Sequence, residues 1–247
     1  RRASVDSARF DFGLVEPGPY TILVEPEAAG GNFAALGEVA MGEQDREVSL
    51  AMGAAPVVAV ECLSPEGRPM EVPGLSVFLR REASAETPER LACGQRRTWG
   101  PGVWEVAAAP PPQYYIAAIL EAEGGPSAHR FRAVPGEEQR LSLVLGADPA
   151  SLAGDVTLDG DPVIGAPVFL RAPDDELRGR AGGVRTARAD EAGRYLFTGL
   201  PPGRYEVLSS YQIREAEQDG WPAGLGAGVT LEAGREVVQN LSLTVIR

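Results

Sequence analysis

The 247-residue chain reads as an all-β protein, a tandem series of seven-stranded Greek-key β-sandwiches. Three observations predict this class. Short runs of alternating apolar and polar residues recur at a spacing of roughly 8–12 residues, with Gly/Pro turns between most of them. Glycine (30 residues) and proline (21) make up about a fifth of the chain, above the usual share of about 12%. No long segment carries an amphipathic helical period with caps. At 44% apolar residues the chain can still bury real cores.

The C-terminal stretch, residues 148–247, shows the elements most plainly. "SLAGDVTL" alternates as an opening strand, "DGDP" turns, and "VIGAPVFLRA" reads as the second strand. The polar "PDDELRGRAGG" is a loop, "VRTARAD" a strand and "EAG" a turn. "RYLFTGL" follows as a strand with Tyr195 and Phe197 on one face. "PPGRYEVLSSYQI" turns sharply and returns. "AGVTLEA" and "REVVQNLSLTVI" are the last two strands. In "PPGRY", proline presets φ, glycine turns the chain, and the tyrosine enters the next strand with its hydroxyl free to reach backbone, as in a tyrosine corner.

The pattern repeats. "ARFDFGLVEPGPYTIL" near the N-terminus superposes without a gap on "GRYLFTGLPPGRYEVL", matching Phe10, Phe12 and Tyr20 to Tyr195, Phe197 and Tyr205. In "GVWEVAAAPPPQYYIA", Trp104, Val106 and Tyr114 repeat the same internal spacings, at offsets of 94 and 91 residues. "VFLR" occurs at 77–80 and again at 168–171. Closing strands are expected at 48–50, 141–143 and 241–243. The domains read as 1–54, the C-terminal half of a sandwich; 55–147, a divergent second copy whose corner lacks the glycine; and 148–247, a third copy. Short connectors at Gly53–Pro56 and Gly146–Ala150 join them. With Arg1 at the start, the chain reads as an excised or mature segment; a half domain completed by strands of a neighbouring subunit, giving a head-to-tail polymer, is the alternative.

On these residues the third copy resembles the bacterial carboxypeptidase regulatory-like domain, of the transthyretin-like, Ig-like sandwich class. The matching positions are Gly160, Pro162, Gly165, Ala166 and Val168, then Asp190, Gly193, Tyr195, Phe197, Leu200, Pro201, Pro202, Gly203 and Tyr205. The second copy keeps Gly67, Pro69, Gly74 and Val77. The resemblance implies a non-catalytic module of secreted or surface proteins, and the matched residues determine the fold.

Composition narrows function further. All 23 basic residues are arginine, so chemistry that needs an ε-amine is excluded, including lysine–asparagine crosslinks. The formal net charge of −12 argues against nucleic acid and anionic membranes. No apolar run reaches the length of a membrane helix. The single histidine, His129, lies beside arginines and reads as a strand or loop residue; it cannot build a multi-histidine metal site.

Few residues remain as candidate sites. Cys62 and Cys93 fall in one copy, which suits an intradomain disulfide, with free buried thiols as the other reading. The turn acids Asp155, Asp159 and Asp161, and the run Asp174–Asp175–Glu176, read as solvated loops. Trp99 and Trp221 sit in Gly/Pro-flanked loops, where an exposed indole would stack on a sugar and a buried one would cap a core. The expected function is a structural or assembly array, a rigid spacer or protein-interaction scaffold of an extracellular, surface or periplasmic bacterial protein. It needs no cofactor. Its partners are other domains or subunits, and a glycan-binding role would rest on the two tryptophans.

Overall fold

The computed structural model describes residues 9–25, 32–82, 87–121, 129–213, 221 and 224–245. Within them the chain is all-β: twenty strands in five sheets and one six-residue helix. It divides into two compact units, one of Arg1–Val57, Arg97–Gly102 and Arg132–Glu138, the other of the remainder.

The first unit holds the sheet β1 (Gly18–Val24), β2 (Phe33–Met41) and β3 (Gly53–Ala54), in that order. β1 and β2 form a regular antiparallel hairpin from Gly18↔Met41 to Val24↔Ala35. The expected closing strand at 48–50 is not one: the backbone there is irregular. Leu50 instead lies over Gly37, in space that a Cβ at Gly37 would occupy.

In the second copy the strands are β4 (Val57–Leu63), β5 (Ser76–Arg81), β6 (Glu89–Leu91), β7 (Arg96–Thr98), β8 (Gly102–Ala109), β9 (Tyr114–Glu121), β10 (Arg130–Ala133) and β11 (Glu138–Ala147). They form two sheets, ordered β10-β8-β5-β6 and β7-β4-β11-β9. The alternating burial of β4 and β8, with Val58, Val60, Cys62, Trp104 and Val106 inside, follows the period of two in their sequences.

The third copy comprises β12 (Ala150–Leu158), β13 (Asp161–Pro162), β14 (Pro167–Arg171), helix α1 (Asp175–Arg180), β15 (Arg185–Arg188), β16 (Arg194–Leu200), β17 (Gly203–Ser209), β18 (Ala227–Leu231), β19 (Glu236–Val238) and β20 (Leu241–Ser242). One sheet is β15-β14-β17-β18; in the other, β12 pairs antiparallel with β16 and parallel with β19 and β20. Leu152, Val156, Leu170, Tyr195, Phe197, Tyr205 and Val207 from both sheets fill the core between them. Tyr195 and Phe197 share the inner face as their spacing predicts, and their rings meet edge to face at 5.9 Å.

The last predicted strand is broken at Gln239–Asn240, for a steric reason. Gly154 on β12 leaves room for the Gln239 carbonyl, where any side chain would collide. That carbonyl accepts the Tyr195 hydroxyl at 2.5 Å, and Asn240 Oδ1 accepts the Asp155 N–H at 3.1 Å. The chain therefore dips over a glycine and resumes its parallel pairing as β20.

Topology corrects the repeat register in the second copy. β5 pairs with β8 and β14 with β17, with Leu79↔Val106 matching Leu170↔Val207 and Arg80↔Glu105 matching Arg171↔Glu206. β8 is thus the counterpart of β17, not of β16. Trp104 corresponds to Tyr205, and "PGVWEV" to "PGRYEV". The corner glycine of the second copy is Gly102, so it has not been lost. β9 is an additional strand, inserted between β8 and β10 and paired with β11. The corresponding segment of the third copy, between β17 and β18, carries Trp221 instead. The connectors are also shorter than expected: Gly146 and Ala147 belong to β11 and Ala150 to β12, leaving only Asp148 and Pro149 between them.

Candidate functional site

Cys62 and Cys93 are joined as a disulfide, with Cα atoms 5.6 Å apart. Cys62 points into the core from β4, and Cys93 lies in the turn between β6 and β7. The bond therefore ties two strands of one sheet to the edge of the other.

The tryptophans are not sugar platforms. Trp99 is 5% exposed and Trp221 4%. The Arg97 guanidinium lies 4.3 Å from the Trp99 ring centre and the Arg171 guanidinium 4.2 Å from that of Trp221. Trp221 packs with Phe169, Leu208 and Ile213 on the outer face of the β14–β17 pair. Burial of both rings leaves no exposed indole for stacking, so the glycan-binding expectation is withdrawn on this point. The Gly/Pro-flanked positions described the backbone correctly and the side chain wrongly, because an arginine supplies the polar cover that a loop indole needs.

The run Asp174–Asp175–Glu176 is not a plain solvated loop. Asp174 caps α1 by accepting the Leu177 N–H at 2.8 Å, while Asp175 and Glu176 stand in the first turn and Arg178 and Arg180 in the last, as the helix dipole favours. Leu177 is the buried residue of the helix and fills the space above Gly203. Among the described residues, no group of three or more His, Cys, Asp or Glu could hold a metal ion. No helix is long and apolar enough to cross a membrane.

Sequence reasoning missed the charged side chains that organise the two sandwiches. Arg171 donates through Nε and Nη2 to Glu206 Oε2 at 3.1 and 2.8 Å, and through Nη1 to the Trp221 carbonyl at 2.9 Å. In the second copy Arg80 donates through Nε to Glu105 at 3.1 Å, and Arg130 adds a second cation to that carboxylate. The Arg80 hydrogen bond holds the Glu105 carboxyl below its ordinary range. The signal was present in the sequence: "VFLR" recurs at an offset of 91 residues, but "PG-x-aromatic-Glu-Val" recurs at 101.

A second unforeseen cluster involves β9 and α1. α1 packs against β9, and Arg180 Nη1 donates to the Ala117 carbonyl at 2.7 Å. The half-buried His129 lies against Gly179. His129 is therefore a packing residue just before β10, as its arginine-flanked setting predicts.

No family model and no curated protein matches the chain. Solved structures similar to it include a streptococcal ancillary pilin, 12% identical over 92% of this chain and 76% of that one, with a TM-score of 0.31. The minor pilin of Streptococcus agalactiae is 10% identical over 78% of this chain and 98% of its own, with a TM-score of 0.32. The shaft pilin SpaA of Lactobacillus rhamnosus GG is 8% identical over 78% and 99%, with a TM-score of 0.27.

Proposed function

We propose that the chain is a non-catalytic structural array, built from carboxypeptidase regulatory-like repeats, that serves a secreted or surface-exposed bacterial protein as a rigid spacer and protein-interaction scaffold. The observation that carries the reading is the join between β11 and β12. Two residues, Asp148 and Pro149, separate a ten-residue strand from a nine-residue one. The Asp148 carbonyl accepts the Gly234 N–H at 2.6 Å, which pins the join to the β18–β19 turn. Proline fixes its own φ and restricts the residue before it, so the connector has little freedom left.

The remaining observations agree in kind. The polar side chains with defined partners are used to hold strands together: Arg171 and Glu206, Arg80 and Glu105, Tyr205 and Pro201. The disulfide suits an oxidising compartment outside the cytoplasm. Partners would be other domains or subunits, received on sheet faces or edge strands.

Residual dipolar couplings of the full chain test the spacer. The second and third sandwiches are expected to share one alignment tensor; independent tensors would refute the rigid reading. Protease shaving of intact source cells tests the location, with released peptides of this chain expected and full protection counting against it.

A further inference from the structure

The bulk of β9 and of α1 distinguishes the two sandwiches from each other. β9 has no counterpart strand in the third copy, where the equivalent segment carries Trp221. Thirteen residues separate β14 from β15 and include α1, whereas seven separate β5 from β6. Two elements peculiar to their own sandwiches nevertheless meet.

The meeting is built at three points. β9 and β11 change register between Val144 and Leu145, so that Ala118 and Ile116 are paired and Ala117 between them is bulged out of the ladder. The carbonyl of this bulged residue is the one that accepts Arg180 Nη1 at 2.7 Å. One residue earlier in α1, Gly179 approaches His129 so closely that a Cβ would fall 2.5 Å from Nδ1 and 2.8 Å from the histidine Cβ. β16 packs against β9 as well. A bulge that frees a carbonyl, an arginine that takes it, and a glycine that lets a helix close on a ring are unrelated features that serve one contact.

We infer that α1 and β9 form a lock between the second and third sandwiches, and that this lock, together with the two-residue connector, sets the angle between them. The inference rests on the spacer reading and adds the residues responsible. A strand ladder with a bulge is a stiff support, and the helix is anchored in its own core by Leu177. Neither side can yield locally, so rotation between the sandwiches must break the contact as a whole.

Pulsed electron–electron distance measurements test this on the full chain, with spin labels on unnatural amino acids at Arg90 and Thr230, both exposed. The unaltered chain is expected to give one narrow distribution. Gly179→Ala should at least double its width, while raising rather than lowering the helix propensity of α1. The double variant Gly179→Ala/His129→Gly makes room for the new Cβ and should restore the narrow distribution. Arg180→Ala should broaden it as well. A broad distribution in the unaltered chain would refute both the spacer and the lock. A narrow distribution in Gly179→Ala and Arg180→Ala alike would refute the lock and leave the spacer standing. Failure of the double variant to narrow would remove the His129 contact from the lock.

Discussion

Arg171 and Glu206 face each other across β14 and β17 as a bidentate pair, with side chains only 11% and 17% exposed. The same guanidinium covers Trp221 and hydrogen-bonds its carbonyl, so one arginine joins two strands to a loop. Removing it leaves a nearly buried carboxylate without its cation. Arg171→Ala is expected to destabilise the third sandwich by about 3 kcal/mol, within the range for breaking a buried pair. The register equivalent Arg80 is 57% exposed, and Arg130 also serves its carboxylate. Arg80→Ala should therefore cost less than about 1 kcal/mol. Urea unfolding of both variants decides this; equal losses would contradict it.

Tyr205 and Tyr20 make the same corner bond at two levels of burial. Each hydroxyl donates to the carbonyl four residues back, Pro201 and Glu16 respectively, at 2.8 Å. Tyr205 is 1% exposed and Tyr20 38%. Tyr205→Phe leaves a buried carbonyl unsatisfied and should cost about 1–2 kcal/mol, whereas Tyr20→Phe lets water replace the hydroxyl and should cost under about 0.5 kcal/mol. Thermal or urea unfolding of the two variants is the check.

That corner was legible before any coordinates, because proline, glycine and tyrosine each have a local reason to be there. The strands of the third copy were legible for the same reason, since alternation shows which face is buried. Register between copies was not. The aromatic spacing that matched Trp104 and Tyr114 to Tyr195 and Tyr205 reflects two successive strands joined by a turn, and β8–β9 satisfies it as well as β16–β17 does. The additional residues around α1 shift everything after "VFLR", and only the cross-strand Arg–Glu pairs reveal the shift. The burial of Trp99 and Trp221 was hidden differently: it depends on Arg97 and Arg171, and in the case of Trp221 the arginine is 50 residues away in sequence.

Buried phenols give the fold an alkaline limit. Burial pushes the Tyr195 and Tyr205 hydroxyls well above the ordinary tyrosine value, and Asp155 adds to the effect at Tyr195. In the unfolded chain both ionise near pH 10. The unfolded state therefore loses protons that the folded state keeps, and stability falls as pH rises above about 10, being fully present below it. Of six tyrosines, Tyr195 and Tyr205 should give tyrosinate absorbance only together with unfolding. Smooth titration of all six in a folded chain would contradict their burial.

The Cys62–Cys93 bond closes a loop of sequence separation 31 within the second copy alone. In the chain-entropy picture such a crosslink stabilises by roughly 3–4 kcal/mol through the unfolded state. Reduction should lower the unfolding midpoint of the second sandwich and leave that of the third unchanged. Hydrogen exchange resolves the two, with Val60 and Leu79 reporting on one and Leu152 and Leu170 on the other. Non-reducing peptide mapping should recover the two cysteines in one linked fragment; alkylation of both thiols without reductant would contradict the bond.

Gly154 offers the sharpest test of the third core, because the strand break at Gln239–Asn240 exists only if its position stays empty. Its missing side chain is replaced by a backbone carbonyl, which cannot rotate away as a side chain would. Gly154→Ala must therefore displace Gln239, and with it the acceptor of the Tyr195 hydroxyl. The inner face would then hold an unsatisfied phenol and an overpacked strand, together costing about 2–4 kcal/mol. Addition of Tyr195→Phe should recover part of that loss, since the displaced carbonyl no longer strands a buried donor. Urea unfolding of the two single variants and the double variant measures the coupling directly. Simple additivity would mean that Gly154 and Tyr195 do not act through the same carbonyl.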